Sequence, residues 1–132
     1  MIRVILAAFF CALASHAYAQ NNNPFSGAIG FTVTMTKVKE GMASWYGYES
    51  GTKTASGRKF NPEEMTCAMR RRDWGTVLTV TVIETGASAE CTLTDFGPAK
   101  WTGRIIDVSE GMARKLGFHK RGVARVRIEE LH

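Results

Sequence analysis

Histidine is scarce in this chain, with three residues in 132, and this scarcity limits the chemistry available. After residue 19 only His119, in a basic segment, and the C-terminal His132 remain. No Ser-His-Asp or Cys-His arrangement and no cluster of zinc ligands is therefore expected. The sequence also lacks a glycine-rich phosphate loop and a dinucleotide fingerprint. We expect neither a metal nor another cofactor.

Long apolar runs are also absent, because the run Val4–Leu13 is too short to cross a bilayer core of about 30 Å. It follows a single positive charge at Arg3 and precedes Ala17-Tyr18-Ala19, a small-x-small cleavage signature. The pattern predicts a signal peptide over residues 1–19, export to the periplasm or the medium, and no transmembrane segment. Cys11 follows two phenylalanines and matches a lipoprotein acceptor site poorly, so a lipid anchor is the less favoured alternative.

The net charge of +5 favours an acidic partner. For an exported protein that partner is an anionic wall polymer or a membrane surface rather than nucleic acid. The Arg70-Arg71-Arg72 run is most simply a solvated basic loop, with contact to wall polymer as the alternative. We expect a monomer.

Cysteine is rare, and after the predicted cleavage site only Cys67 and Cys91 remain. In an oxidising compartment an even number of cysteines in a small domain indicates a disulfide. The alternative is a pair of buried thiols. The disulfide would stabilise the domain by about 3 kcal/mol in the chain-entropy treatment.

The chain divides into three parts. After residues 1–19, residues 20–40 form a polar leader that begins with glutamine and asparagines. Within it, Phe31–Val38 alternates apolar residues with threonines, which allows one edge strand. Residues 41–132 are expected to form the compact domain.

That domain contains several short strand signals. Thr76–Ile83 alternates most clearly, and Ala87–Thr94 follows it after a turn, as in a hairpin. Asn61-Pro62 followed by two glutamates suggests a short helical turn, and a brief helix is expected over Ser109–Leu116. Short strands at close spacing with so little helix predict an all-β fold, a small β-barrel.

Residues 92–109 combine a strand end, a turn, a carboxylate and a helix start. Asp95 ends the strand just before Gly97-Pro98, a pair that cannot continue a β-ladder. A carboxylate on a strand tip below a loop is a catalytic candidate, and it is equally a residue that forms a turn with its own backbone. Local chemistry alone favours the turn.

An ordered set of five motifs resembles the RlpA-like double-psi β-barrel domain over roughly residues 41–130. The motifs are Ala43-Ser44-Trp45-Tyr46-Gly47, Thr54-Ala55-Ser56-Gly57, Trp74-Gly75-Thr76, Thr94-Asp95-Phe96-Gly97-Pro98 and Arg104-Ile105-Ile106-Asp107-Val108-Ser109. The resemblance implies a six-stranded barrel with one or two short helices, related to expansin and barwin domains. It also implies action on peptidoglycan glycan strands, as a lytic transglycosylase that leaves a 1,6-anhydro sugar end.

The resemblance places the family's strand-end Asp on Asp95 and makes this residue the candidate general acid and base. Members of the family commonly carry Glu at the position of Arg58, His at the position of Met69 and Arg at the position of Phe96. The resemblance implies that side chains at positions 58 and 69 enter the site beside Asp95. These departures support the alternative, a non-catalytic, expansin-like module that binds the cell wall. A secreted effector or inhibitor, a third class, has no positive motif here.

A lytic transglycosylase needs one carboxyl group, because the 6-hydroxyl of the substrate's own muramic residue is the nucleophile. Asp107 is assigned to capping the helix, with Ser109 as partner or as sole cap. Trp45 and Tyr46 should lie on opposite faces of their strand, so at most one of them is core. The residues expected to line the sugar groove are Tyr46, Thr54, Ser56, Trp101 and Arg104.

Overall fold

The structure, a computed structural model, describes residues 36–131. The strands are β1 (Thr36–Tyr46), β2 (Thr66–Met69), β3 (Val77–Val82), β4 (Ser88–Phe96), β5 (Arg104–Ser109) and β6 (Val123–Leu131). The helix α1 spans Glu110–Lys115, and 3₁₀ turns span Tyr48–Ser50 and Lys100–Thr102. No helix within this part of the chain is long and apolar enough to cross a membrane. The predicted signal peptide lies outside the described residues.

The strands close into a barrel in the order β1-β5-β2-β4-β3-β6. Two neighbouring pairs are parallel, β1 with β5 and β2 with β4, and the remaining pairs are antiparallel. The predicted all-β, six-stranded double-psi barrel is confirmed. Closure leaves no open sheet edge among the described strands.

Strand β1 begins at Thr36, inside the segment assigned to the polar leader. It pairs with β6 from Thr36 opposite Leu131 to Ser44 opposite Val123. Residues 36–38 of the expected edge strand therefore belong to β1, whereas residues 31–35 lie outside the described part of the chain.

Strict alternation builds the core. In β3, Leu78, Val80 and Val82 are buried and the residues between them face outward. The same period separates the two faces of β1, where Ala43 packs in the main core and Tyr46 joins a smaller cluster with Phe60 and Ala68. Two apolar clusters therefore exist, and the smaller one lies next to the site described below.

The disulfide prediction is confirmed. Cys67 of β2 and Cys91 of β4 are bonded, with Cα atoms 5.8 Å apart. Both side chains are buried in the main core. The bond therefore ties together two neighbouring strands close to the end of β4.

The helix α1 begins at a serine cap. The Ser109 hydroxyl accepts a hydrogen bond from the Met112 amide, and Gly117, with φ of 80°, follows the helix in the left-handed conformation. Asp107 does not cap this helix, which corrects the role predicted for it. The predicted helical turn after Asn61 is a single turn, in which the Asn61 carbonyl oxygen accepts the Glu64 amide at 3.1 Å and its carboxamide oxygen accepts the Glu63 amide at 3.0 Å.

Candidate functional site

An open groove of about 240 Å³ lies where β1, β2, β4 and β5 converge. Two carboxylates, Asp95 at the end of β4 and Asp107 in β5, line it. The other lining residues are Tyr46, Ser50, Lys53, Ala68, Phe96 and Gly97. The groove therefore combines two acids with one lysine and two aromatic rings.

Strand register explains why the two acids share this groove. Ala68 of β2 is aligned with Asp95 on one side and with Asp107 on the other. With neighbouring strands about 4.8 Å apart, the two aspartate Cα atoms lie roughly 10 Å apart across Ala68. The methyl group of Ala68 is too small to fill the space between the two carboxylates.

A β-bulge sets the direction of Asp95. Cys67 is aligned with Leu93, but Ala68 is aligned with Asp95, so β4 has one extra residue, Thr94, at this point. Such bulges bend a strand and re-aim a side chain, and they are frequent beside active sites. Without the bulge, Thr94 would stand opposite Ala68.

Asp95 is held through one of its two carboxylate oxygens. Its Oδ1 accepts hydrogen bonds from the Ala55 amide at 2.9 Å and from its neighbour Phe96 at 2.8 Å. Its Oδ2 forms no hydrogen bond with residues 36–131. One oxygen thus fixes the orientation of the group, and the other remains available for exchange of a proton.

Asp107 is bound differently. Its Oδ1 accepts a 2.5 Å hydrogen bond from the Ser44 hydroxyl and lies 3.3 Å from Arg104 Nε. The side chain is half as exposed as that of Arg104, 15% against 32%. Hydrogen bonds in which one partner is charged are stronger than neutral ones. Of the two acids, Asp107 is therefore the one held by side chains, whereas backbone amides hold Asp95.

Tyr46 lies between these charges and packs its ring on Phe60, with centroids 4.8 Å apart. Burial, and then the negative charge of Asp95, raise the pKa of Tyr46 to about 12. The hydroxyl approaches Thr66 and Thr94, but the geometry of these contacts falls short of a hydrogen bond. Tyr46 is therefore neutral at every physiological pH, and its hydroxyl oxygen is buried.

The rim beyond Asp95 is aromatic and basic. Phe96 is 47% exposed, and the Arg72 guanidinium lies over its ring at 4.6 Å. Arg70 donates to the carbonyl oxygens of Pro98 and Arg104. The arginine run, interpreted from sequence as a solvated loop, therefore holds the 96–104 segment that forms this rim.

The other residues predicted to bind substrate occupy different places. Thr54 is buried and shares a hydrogen bond with Ser56, whose amide donates to the Thr94 carbonyl. These two hold the 52–60 loop against β4 and do not line the groove. Arg104 contacts the groove through Asp107, and Trp101 is 89% exposed on the adjacent 3₁₀ turn.

Met69, predicted to lie beside Asp95, does not do so. Alternation along β2 turns Ala68 toward the groove and Met69 into the main core, where it lines a small cavity with Leu78 and Ile128. Arg58 is exposed on the 52–60 loop and is also absent from the groove lining. Trp45, on the face of β1 opposite Tyr46, stacks on His119 at 4.4 Å.

Sequence reasoning missed five groove residues and gave Asp107 a structural role; the five are Ser50, Lys53, Ala68, Phe96 and Gly97. Only Asp107 had a usable signal, because Ile106 and Val108 on either side of it are apolar and the acid must face the other side of β5. No group of three or more His, Cys, Asp or Glu side chains within residues 36–131 is placed to hold a metal ion. Proton transfer is the chemistry that these groove side chains support directly.

A closed barrel with two parallel strand pairs and an acidic groove at their ends defines the chain as a double-psi β-barrel protein. The profile of the family described as lytic transglycolase matches residues 38–128. The chain belongs to this family.

The relatives carry related names. A probable endolytic peptidoglycan transglycosylase RlpA of Synechocystis is 40% identical over 97 residues, which cover 73% of this chain and 30% of the relative. The protein of the same name from Nostoc is 46% identical over 95 residues, or 70% of this chain and 25% of the relative. The endolytic peptidoglycan transglycosylase RlpA of Haemophilus influenzae is 35% identical over 96 residues, which cover 72% of this chain and 33% of the relative. The chain thus spans a third or less of the length of these relatives.

Solved structures agree on the fold. A Streptomyces papain inhibitor superposes with a TM-score of 0.59 at 18% identity, covering 72% of this chain and 94% of the inhibitor. A mutant expansin of Clavibacter michiganensis in complex with cellohexaose superposes with a TM-score of 0.57 at 20% identity. The match covers 73% of this chain and 51% of the expansin. Identities this low show the barrel fold alone.

Proposed function

We propose that this barrel cuts peptidoglycan glycan strands as a lytic transglycosylase, with Asp95 as general acid and then general base. The observation that carries the proposal is the asymmetric bonding of Asp95, with Oδ1 held by two amides and Oδ2 unbonded, in a groove that also holds Asp107. The names of the relatives, each of which covers most of this chain, supply the substrate class.

In the proposed reaction the proton on Asp95 Oδ2 passes to the glycosidic oxygen as the bond to the anomeric carbon breaks. Asp107, held in place by Arg104 and Ser44, is proposed to stabilise the positive charge that develops at that carbon. Asp95 then accepts the proton of the muramic 6-hydroxyl as this oxygen closes the 1,6-anhydro ring. One carboxyl group thus serves both proton transfers, and no water enters the product.

Tyr46, whose hydroxyl is buried and whose pKa is about 12, is proposed to contact the sugar as part of the neutral wall of the groove. Arg104 is proposed to act through Asp107, whose charge and orientation it fixes. Thr54 and Ser56 are proposed to act through the loop whose Ala55 amide binds Asp95. Trp101 is proposed to stack on a sugar ring beyond the groove.

We further propose that the protein is exported to the periplasm or beyond the cell. The cleavage signature before Gln20 and the disulfide between Cys67 and Cys91 both support this location. A monomer is proposed because the barrel is closed and exposes no strand edge for pairing.

The second candidate is a wall-binding module without catalysis. The observation that favours it is the strong exposure of Trp101 and Phe96, two aromatic side chains beside one groove. Aromatic rings stack on the apolar faces of sugars whether or not a bond is cut.

One incubation separates the two candidates. The purified exported chain is mixed with peptidoglycan, and the pelleted protein and the released anhydro-muropeptides are measured separately. We expect both signals, and we expect Trp101→Ala to weaken pelleting while Val77→Ala, an exposed apolar residue on β3, does not. Pelleting without anhydro products would favour the binding module. The absence of both signals would refute both candidates.

A further inference from the structure

The 52–60 loop brings two lysines face to face. Lys53 and Lys59 are antiparallel partners, flanked by hydrogen bonds from the Thr54 amide to the Arg58 carbonyl and from the Phe60 amide to the Thr52 carbonyl. This pattern defines a non-hydrogen-bonded pair, in which the Cα atoms lie about 4.5 Å apart and the side chains share one face. Two ammonium groups are thus held side by side.

Directly opposed like charges destabilise a strand pair. Arg58 adds a third positive charge to the same exposed loop. None of the three forms a salt bridge with any carboxylate of residues 36–131. Several arginines elsewhere on the barrel do have acidic partners, as Arg127 has Glu40. The loop therefore concentrates positive charge that the protein itself does not neutralise.

This charge lies at the groove. Lys53 lines the groove together with Asp95 and Asp107. With Lys59, Thr52 and Gly57 it also lines a second, more open concavity of about 340 Å³. Lys53 is shared by the two, so a ligand that fills the groove can continue directly onto the lysine pair.

We propose that Lys53 and Lys59, supported by Arg58, form a carboxylate-binding subsite for the acidic substituent of a glycan strand lying in the groove. The proposal rests on the proposed function and names which part of that substrate the loop recognises. The sugar backbone of peptidoglycan is neutral, and its carboxylates belong to the lactyl group of the muramic residue or to the peptide attached to it.

The subsite also orients the strand. The carboxylate of Asp107 repels an acidic substituent, whereas the lysine pair attracts it, so the substituent is drawn to the loop side of the groove. A strand bound with this polarity presents a defined glycosidic bond to Asp95. The lysines thereby select one binding direction.

The test compares two charge-matched double variants. Lys53→Gln/Lys59→Gln removes the pair, and Lys37→Gln/Lys39→Gln removes two exposed lysines from β1. Lys39 precedes the groove residue Tyr46 by roughly 23 Å of strand. Each protein is pelleted, at several salt concentrations, with peptidoglycan stripped of phosphate-containing polymers. Two polymers are used, native peptidoglycan and strands freed of peptides by an amidase, and each is prepared with its carboxylates free or converted to methylamides.

We expect the wild type to bind the free-carboxylate form of at least one polymer about fivefold more tightly than its amidated form, since each exposed ion pair contributes modestly. The Lys53/Lys59 double variant should bind the two forms equally weakly, and the Lys37/Lys39 control should behave as wild type. Discrimination on the peptide-free strands, whose lactyl carboxylate the amidase releases, assigns the lactyl group, and discrimination on the native polymer alone assigns the peptide.

Wild-type binding that ignores amidation, or equal weakening by both double variants, would overturn the subsite and leave the proposed function standing. Failure of the wild type to bind or cleave any of the polymers would refute the proposed function and the subsite together. Folding of each variant is checked by its thermal transition, which should match that of the wild type because these lysines are exposed.

Discussion

Removing the Cys67–Cys91 disulfide should cost a large part of the stability of the barrel. The bond spans 24 residues of sequence, and closing a loop of that length stabilises the fold by about 3 kcal/mol. Small domains are stable by only about 5 to 15 kcal/mol in total. Loss of this one bond should therefore lower the thermal midpoint by roughly 15 °C.

The loss of the disulfide should reduce local stability most strongly near Asp95. Cys67 precedes Ala68, which is aligned with Asp95, and Cys91 lies on the same strand as Asp95. Without the bond, β2 and β4 are joined only by their ladder, which is irregular at the Thr94 bulge. Amide exchange should accelerate first at the ends of these two strands.

Urea unfolding of oxidised protein, reduced protein and Cys67→Ala/Cys91→Ala provides the measurement. Reduction leaves both buried sulfur atoms in place, so it isolates the cross-link, whereas the double variant adds the cost of lost packing in the core. The urea midpoint should fall by roughly 2 M on reduction. A fall corresponding to less than about 1 kcal/mol would refute the argument from loop closure.

Two further predictions concern Tyr46 and Met69. Because the pKa of Tyr46 is raised from 10.0 to about 12, the folded state holds its proton more tightly, so the stabilisation is complete below pH 10 and is lost between pH 10 and 12. The unfolding free energy of wild type minus that of Tyr46→Phe should fall by about 2 to 3 kcal/mol across this window, and a flat difference would contradict the raised pKa. Met69→His should lower stability by about 1 to 3 kcal/mol without raising turnover, since it buries an imidazole in the core, whereas Met69→Leu should cost little. A gain in turnover in Met69→His would show that this position reaches Asp95 after all.

The barrel was predictable because its signals are local and repeated. Alternation in Thr76–Ile83, the Ser109 cap and the pair of cysteines each follow from short-range rules, and the structure contains the β3 strand, the helix start and the disulfide. The resemblance added the closed double-psi topology, which no local pattern specifies. Alternation in Phe31–Val38 allowed an edge strand there, but its continuation through Glu40 into the barrel was not predicted, because residues 36–40 are all exposed.

The site was less predictable because its geometry depends on register between distant strands. Asp95 and Asp107 meet only because β2 lies between β4 and β5 and Ala68 is aligned with both. The Thr94 bulge, which turns Asp95 into the groove, leaves no signature in the residue types. Met69 was placed beside Asp95 by motif order, although alternation along β2 already assigns Ala68 and Met69 to opposite faces.

Asp95→Asn tests the central claim most directly. An asparagine can keep the Oδ1 hydrogen bonds from the Ala55 and Phe96 amides, so the variant replaces only the oxygen that exchanges the proton. The measurement is the initial rate of anhydro-muropeptide release, with pelleting on peptidoglycan as the binding control. The account predicts a rate roughly 100- to 10,000-fold below wild type with binding retained. Release at the wild-type rate would contradict it and would move the proton transfer to another groove residue, with Asp107 the first candidate.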